Sequence, residues 1–304
     1  MTALDRLGSD LERFGSVVRN ASMARRTTFG IGGPADILVT VGTADDLAGA
    51  VIAARDAGQP AFVLGSGSNI LVADEGIRGV VVDNRARRRD EVAQGTERLE
   101  SGVSLAGFAR RACREGLAGL SWAVGIPGTL GGGVAYNAGA YGGCLADVIT
   151  RARVLAADGR IEWWPAEDLG LMYRESVFTR ETLKDRVVLE VELALRPADA
   201  GPLLAEAAAY DERRLDAQPR GRSAGSMFKN PPDRPAWKLL DAAGMRGRRR
   251  GDAGVSDKHC NFFVNLGQAR AADVEALVRE AESRVLEKFG IRLEREVSFV
   301  GDWR

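Results

Sequence analysis

Residues 120–143, LSWAVGIPGTLGGGVAYNAGAYGG, hold eight glycines and no charged side chain. Glycine permits left-handed torsions and close approach of main-chain N–H groups, so such a run can wrap a phosphate chain without a lysine. A shorter segment of the same kind, Gly65-Ser66-Gly67-Ser68-Asn69, lies between the apolar runs 61–64 and 70–72. Two separated glycine-rich loops suggest one long bound diphosphate. Tight turns are the competing account of either loop alone.

Neither loop fits the commoner nucleotide signatures. There is no GxxxxGK[ST], and Gly65-Ser66-Gly67 lacks the third glycine and the downstream acidic residue of a dinucleotide-binding unit.

The chain has 304 residues, which favours two or three domains. Its 42 basic and 42 acidic residues cancel, with a pI near 6.7. That balance argues against a general nucleic-acid binder, whose affinity would rest on excess positive charge. The basic runs Arg85 to Arg89 and Arg246 to Arg250 read as solvated loops, with anion binding as the alternative. No window holds eighteen uninterrupted apolar residues, and residues 1–13 carry charges where an export signal needs an apolar core. The expectation is a cytoplasmic protein without membrane insertion. Cys113, Cys144 and Cys260 are widely spaced with no CxxC, as suits reduced thiols, and a single histidine, His259, argues against a zinc or other metal site.

These residues need elements to position them, and periodicity supplies an α+β reading. Residues 35–41 read as a strand. Thr43 with Asp46 resembles a capping box for a helix through Ala57 closed by Gly58. Strands follow at 61–64, 70–73 and 80–83. Residues 85–100 read as a linker or hairpin, and 105–113 as a helix closed by Gly116. Asp158-Gly159 marks a hairpin between 149–156 and 160–164. Val187, Leu189, Val191, Leu193 and Leu195 alternate as a strand stopped by Pro197. A helix is expected over 203–215. Another over 273–289 places Val274, Leu277, Val278, Ala281, Val285 and Phe289 on one face, with Gly290 as its stop. A last strand over 291–300 sets Arg292, Glu294, Glu296 and Ser298 opposite Ile291, Leu293, Val297 and Phe299. The expected division is 1–84, 85–200 and 201–304.

Eight blocks then occur in order: TTFGIGGPA at 27–35, GSGSN at 65–69, GIPGTLGG at 125–132, NAGAYGG at 137–143, YRES at 173–176, GSMFKNP at 225–231, SDKHCNFFVN at 256–265 and LEREV at 293–297. Together they closely resemble the UDP-N-acetylenolpyruvoylglucosamine reductases (MurB), flavoenzymes of peptidoglycan precursor synthesis. Cys144 and Cys260 depart from that pattern. The short segment between Ser176 and Val187 resembles the family type lacking an extra tyrosine-bearing substrate loop.

The resemblance implies a vanillyl-alcohol-oxidase-like pair of FAD-binding subdomains plus a smaller α+β substrate domain. It implies FAD cradled by Gly65, Ser66, Gly67, Ser68, Asn69, Gly125, Ile126, Pro127, Gly128, Thr129, Gly132, Asn137, Gly139 and Ala140. With one histidine, far from these loops, the flavin should be non-covalent. NADPH would be the co-substrate and UDP-N-acetylglucosamine enolpyruvate the acceptor. Arg174 and Glu296 would stabilise charge on the substrate carboxylate, and Ser226 would donate the proton. Lys229, Asn230 and Arg214, or Arg213, would reach the substrate diphosphate.

Outside the resemblance each residue has a plainer role. Arg174 reads as an ion-pair partner, Ser226 as a turn residue, Glu296 as a solvated carboxylate and His259 as a structural hydrogen bonder. Glu294 shares the facing of Glu296, so facing does not separate them. Two other readings are an FAD-dependent oxidase of alcohols or hydroxy acids, and a non-enzymatic nucleotide-sugar module. GSMFKNP and LEREV argue against the first, and the second needs no Arg, Ser and Glu in one cleft.

Overall fold

The computed structural model of the chain describes residues 3–180 and 185–303. The segment on which the tyrosine-loop subtype turns includes 181–184, which lie outside the described residues. Helices and strands are mixed along the whole chain, as the α+β reading expects. The chain forms two compact units, one comprising Met1–Val18, Leu38–Gly65 and Gly79–Arg214, the other Arg19–Ile37, Ser66–Arg78 and Leu215–Arg304.

A four-stranded sheet has the order Gly15–Ser22, Pro34–Val41, Ile77–Asn84, Ala61–Leu64. Its helix, Ala44–Asp56, starts where the Thr43 hydroxyl accepts the Asp46 N–H at 3.0 Å and donates to the Asp46 carboxylate at 2.7 Å. A five-stranded sheet in the first unit runs Ile161–Pro165, Ile149–Leu155, Val187–Ala194, Thr96–Glu100, Arg89–Ala93. Residues 85–100 thus include the hairpin rather than only a linker, and Leu155 pairs with Ile161 across the expected Asp158-Gly159 turn. One face of this sheet, with Val191 and Leu193, packs into a core with Leu105, Phe108, Leu130 and Val134. The opposite face carries Glu192, which Arg98 and Arg151 bond while both guanidinium groups stack on Trp163. Alternation along one strand therefore sorts core from charge.

The second unit holds a sheet of order Arg222–Ser226, Phe262–Asn265, Ala253–Val255, Arg249–Arg250. The helix Ala271–Phe289 buries Val274, Leu277, Val278, Ala281 and Val285, and ends at Gly290 in the left-handed region, φ 67°. It begins two residues before Asp273 because the Asp74 carboxylate accepts the N–H groups of Ala271 and Ala272. That cap is invisible in local sequence.

The last strand differs from expectation. Only Ser298–Val300 is strand, parallel to Ile70–Val72, whereas 291–297 is irregular. The Glu296 N–H donates to Met227 O, the Lys229 N–H donates to Glu294 O, and Phe228 and Arg295 form an isolated bridge. These backbone groups are satisfied by one short turn segment, so no continuous ladder can form. Among the described residues no helix is long and apolar enough to cross a membrane.

Candidate active site

In the first unit the large glycine run becomes a set of close contacts. Gly65 ends a strand at a point where a Cβ would fall 2.4 Å from the Thr129 hydroxyl oxygen, so only glycine allows that approach. Thr129 accepts the Gly132 N–H at 3.5 Å and opens the short helix Leu130–Ala135. Beyond that helix, Gly139–Ala140 pairs antiparallel with Gly143–Cys144. Tyr141, itself left-handed at φ 54°, stacks on Tyr210 with centroids 4.5 Å apart and donates its hydroxyl to Tyr210 O at 3.3 Å. That contact ties the glycine run to the helix Ala200–Ala217, which carries Arg213 over the Tyr141 ring and lays the Arg214 stem against Gly125. Burial pulls the Arg214 guanidinium below its ordinary value, against Tyr141 and Asp211, which push it up.

Arg174 sits at the tip of a tight hairpin. Met172 and Glu175 exchange backbone hydrogen bonds of 2.9 and 3.3 Å, leaving Tyr173 and Arg174 as the turn. Arg174 adopts φ 55°, a conformation costing a non-glycine residue roughly 1–2 kcal/mol. Ser176, fully buried, anchors the base by donating to Ala135 O at 2.6 Å and accepting the Phe178 N–H.

In the second unit, Gly67 is left-handed at φ 61°, and a Cβ there would lie 2.2 Å from Arg26 O. The Ser66 hydroxyl is buried with no hydrogen-bond partner among the described residues. An orphaned buried hydroxyl in a tight glycine turn fits a ligand oxygen, since leaving it unpaired costs about 1–3 kcal/mol. Asn69 donates its side-chain N–H to Glu296 O at 3.1 Å, and its own carbonyl accepts the Ser298 N–H at 3.0 Å. The small glycine loop is thus tied directly to Glu296.

Ser226 ends the strand Arg222–Ser226 after a bulge, with Gly225 at φ 81°, and pairs with Phe262. Its hydroxyl makes no hydrogen bond among the described residues. The next residue, Met227, accepts the Glu296 N–H at 2.8 Å, so Ser226 and Glu296 lie on adjoining segments. Glu294 diverges from its neighbour: it is exposed and ion-paired with the Lys229 ammonium. The Asn230 side-chain oxygen accepts the Ala236 N–H at 3.0 Å and so caps a helix.

His259 Nδ1 accepts the Asn261 N–H at 3.3 Å, and burial lowers its pKa, favouring the neutral ring. That bond suits a structural role. Cys260 is buried and its thiol is pushed up to about 11 by that burial, which disfavours the thiolate. The two basic runs are largely ion-paired: Arg85 with Asp83, Arg89 with Glu97 and Glu115, Arg246 with Asp241, Arg248 with Glu280.

Three supporting residues escaped the sequence reading. Thr28 donates its N–H to Gly67 O at 3.0 Å and its hydroxyl to Ser223 O at 2.7 Å, linking the glycine loop to the Ser226 strand. Asn261 accepts the Phe228 N–H at 2.9 Å and donates back to Phe228 O at 2.8 Å, fixing the turn after Ser226. Asn84 donates to the Ser101 hydroxyl at 2.8 Å behind the first unit's loops. Each lies within or beside a quoted block or strand, yet its partner is remote in sequence.

Residues 35–164 match the FAD binding domain family, and residues 217–300 match the C-terminal domain of UDP-N-acetylenolpyruvoylglucosamine reductase. UDP-N-acetylenolpyruvoylglucosamine reductase 2 of Symbiobacterium thermophilum is 43% identical over 98% of this chain and 96% of that protein. The reductase of Anaeromyxobacter dehalogenans is 43% identical over 95% of this chain and 87% of its own length. The crystal structure of the Thermus caldophilus enzyme, MurB, superposes with a TM-score of 0.79 at 37% identity, covering 94% of this chain and 98% of that one. Likeness of this identity over nearly the full length of each relative establishes common descent and fold, and the chain belongs to the UDP-N-acetylenolpyruvoylglucosamine reductase family.

Proposed function

We propose that this protein catalyses the NADPH-dependent reduction of UDP-N-acetylglucosamine enolpyruvate to UDP-N-acetylmuramate, with FAD as its cofactor. The observation that carries the reading is the hydrogen-bonded linkage of Ser226, Glu296 and the GSGSN loop through Met227 and Asn69. FAD, when bound, would supply a two-electron carrier between NADPH and the substrate. Backbone N–H groups of 65–69 and of Gly125, Gly128 and Thr129, with the Ser66 hydroxyl, would hold its diphosphate; the rest of 125–132, with Gly139 and Ala140, would approach it through main chain, since the N–H groups of Ile126, Leu130, Gly131 and Gly132 already donate within the protein.

Hydride addition at the terminal vinyl carbon leaves negative charge delocalised onto the substrate carboxylate. Arg174, a cation at the hairpin tip, and Glu296, acting as a neutral acid that donates a hydrogen bond, stabilise that charge. The Ser226 hydroxyl delivers a proton to the adjacent carbon. Arg214, Lys229 and Asn230 grip the substrate diphosphate, for which Lys229 must exchange its Glu294 partner for the phosphate. Residues 1–84 and 85–200 would be the flavin-binding subdomains and 201–304 the substrate domain; the matches at 35–164 and 217–300 favour a boundary near 200 and do not bear on the one at 84. Both reactants are phosphorylated metabolites, which favours a cytoplasmic enzyme.

The purified protein is expected to be yellow and to oxidise NADPH only when UDP-N-acetylglucosamine enolpyruvate is present. Acid precipitation should leave intact FAD in the supernatant. NADPH-independent turnover of hydroxy acids, or colour retained in the acid pellet, would contradict the reading of reaction and of cofactor attachment respectively.

A further inference from the structure

Asn137 adopts φ 40°, left-handed for a non-glycine residue, and is 7% exposed. Both polar atoms of its side chain hold protein partners. The oxygen accepts the Ala146 N–H at 3.0 Å, and the amide nitrogen donates to Met172 O at 3.1 Å. Met172 O is also the acceptor that closes the Tyr173-Arg174 hairpin, where its own bond from the Glu175 N–H is long, at 3.3 Å. Asn137 therefore supplies the shorter of two hydrogen bonds holding that carbonyl. Ser176 secures the other side of the hairpin base to Ala135 O, two residues before Asn137.

The arrangement couples the glycine run to the arginine at the hairpin tip. Arg174 itself is left-handed, so its backbone leans on surrounding contacts to stay there. We propose that Asn137 is a positioning residue for Arg174: its amide N–H, bonded to Met172 O, sets the height and direction of the hairpin tip against the substrate carboxylate. This rests on the reading of Arg174 as the group that stabilises substrate charge. The role is assigned in place of side-chain contact of Asn137 with the flavin, because one amide N–H is already committed to Met172 O and the oxygen to the Ala146 N–H.

Asn137→Asp tests this in the holoenzyme. Aspartate tolerates left-handed backbone and keeps the acceptor for the Ala146 N–H, but it loses the donor to Met172 O. FAD content and the rate of flavin reduction by NADPH should stay within about threefold of wild type, while reoxidation by UDP-N-acetylglucosamine enolpyruvate slows about ten- to a hundredfold, as misplacement near 1 Å does. Adding Asn137→Asp to Arg174→Ala should cause no further slowing, because residues acting through one another are not additive.

Wild-type reoxidation in Asn137→Asp, with Arg174→Ala slow, overturns the positioning role alone. Wild-type reoxidation in Arg174→Ala overturns the underlying reading of Arg174. A double variant much slower than Arg174→Ala shows that Asn137 acts elsewhere. Asn137→Gly keeps the backbone conformation and removes both bonds; if it and Asn137→Asp both fail to retain FAD, Asn137 belongs to flavin binding and the proposal falls.

Discussion

Ser226→Ala is expected to yield a folded, yellow protein that NADPH reduces normally but that UDP-N-acetylglucosamine enolpyruvate reoxidises on the order of a hundred to ten thousand fold more slowly. The fold should survive because the Ser226 hydroxyl makes no hydrogen bond among the described residues. The turn is held instead by backbone pairing to Phe262 and by the Asn261 clamp on Phe228. A serine hydroxyl is a weak acid, so its use as a donor requires a strongly basic carbon; Glu296, on the segment bonded to Met227, assists as a neutral acid, because its carboxylate form would hold the serine proton back. Cysteine, a stronger acid of similar size, should restore part of the rate. Single-turnover reoxidation with substrate affinity measured separately decides the matter. A rate within about threefold of wild type lies well below the range for a lost general acid and would leave bound water as the donor.

Arg174→Ala and Glu296→Gln are each expected to slow the same half-reaction by about a hundred to a thousand fold, the range for losing one preorganised charge stabiliser. Glu296→Gln is the cleaner of the two. Glutamine keeps the backbone bonds of the Glu296 N–H and carbonyl, so the change is confined to the side-chain carboxyl group. At position 174 the left-handed strain is the same for alanine as for arginine. Arg174→Lys should recover part of the loss, since it restores the charge but not the planar fork. If reduction by NADPH falls as far as reoxidation in either variant, that residue serves flavin binding or folding.

Local chemistry made much of the fold legible. Thr43 caps a helix as read, Gly290 ends another in the left-handed region, and Asp158-Gly159 turns a hairpin. Residues 291–300 misled because their alternation is real, yet the backbone of 294–296 is already bonded to 227–229, which no periodicity reveals. The helix Leu130–Ala135 was hidden by its three successive glycines, poor helix formers that only the Thr129 cap and surrounding core hold in place. At the site, Glu294 and Glu296 were separable only by resemblance; in the structure Lys229 pairs with Glu294. The left-handed turn at Arg174 and the remote hydrogen bonds of Thr28 and Asn261 come from tertiary context, which composition and spacing do not carry.

Anaerobic stopped-flow of wild-type holoenzyme in two steps tests the proposed reaction most directly. NADPH should bleach the flavin absorbance, and mixing the reduced enzyme with UDP-N-acetylglucosamine enolpyruvate alone should restore it in one turnover, with one equivalent of UDP-N-acetylmuramate formed per flavin. Reduced enzyme that stays bleached with this substrate, or that is reoxidised without forming that product, would contradict it.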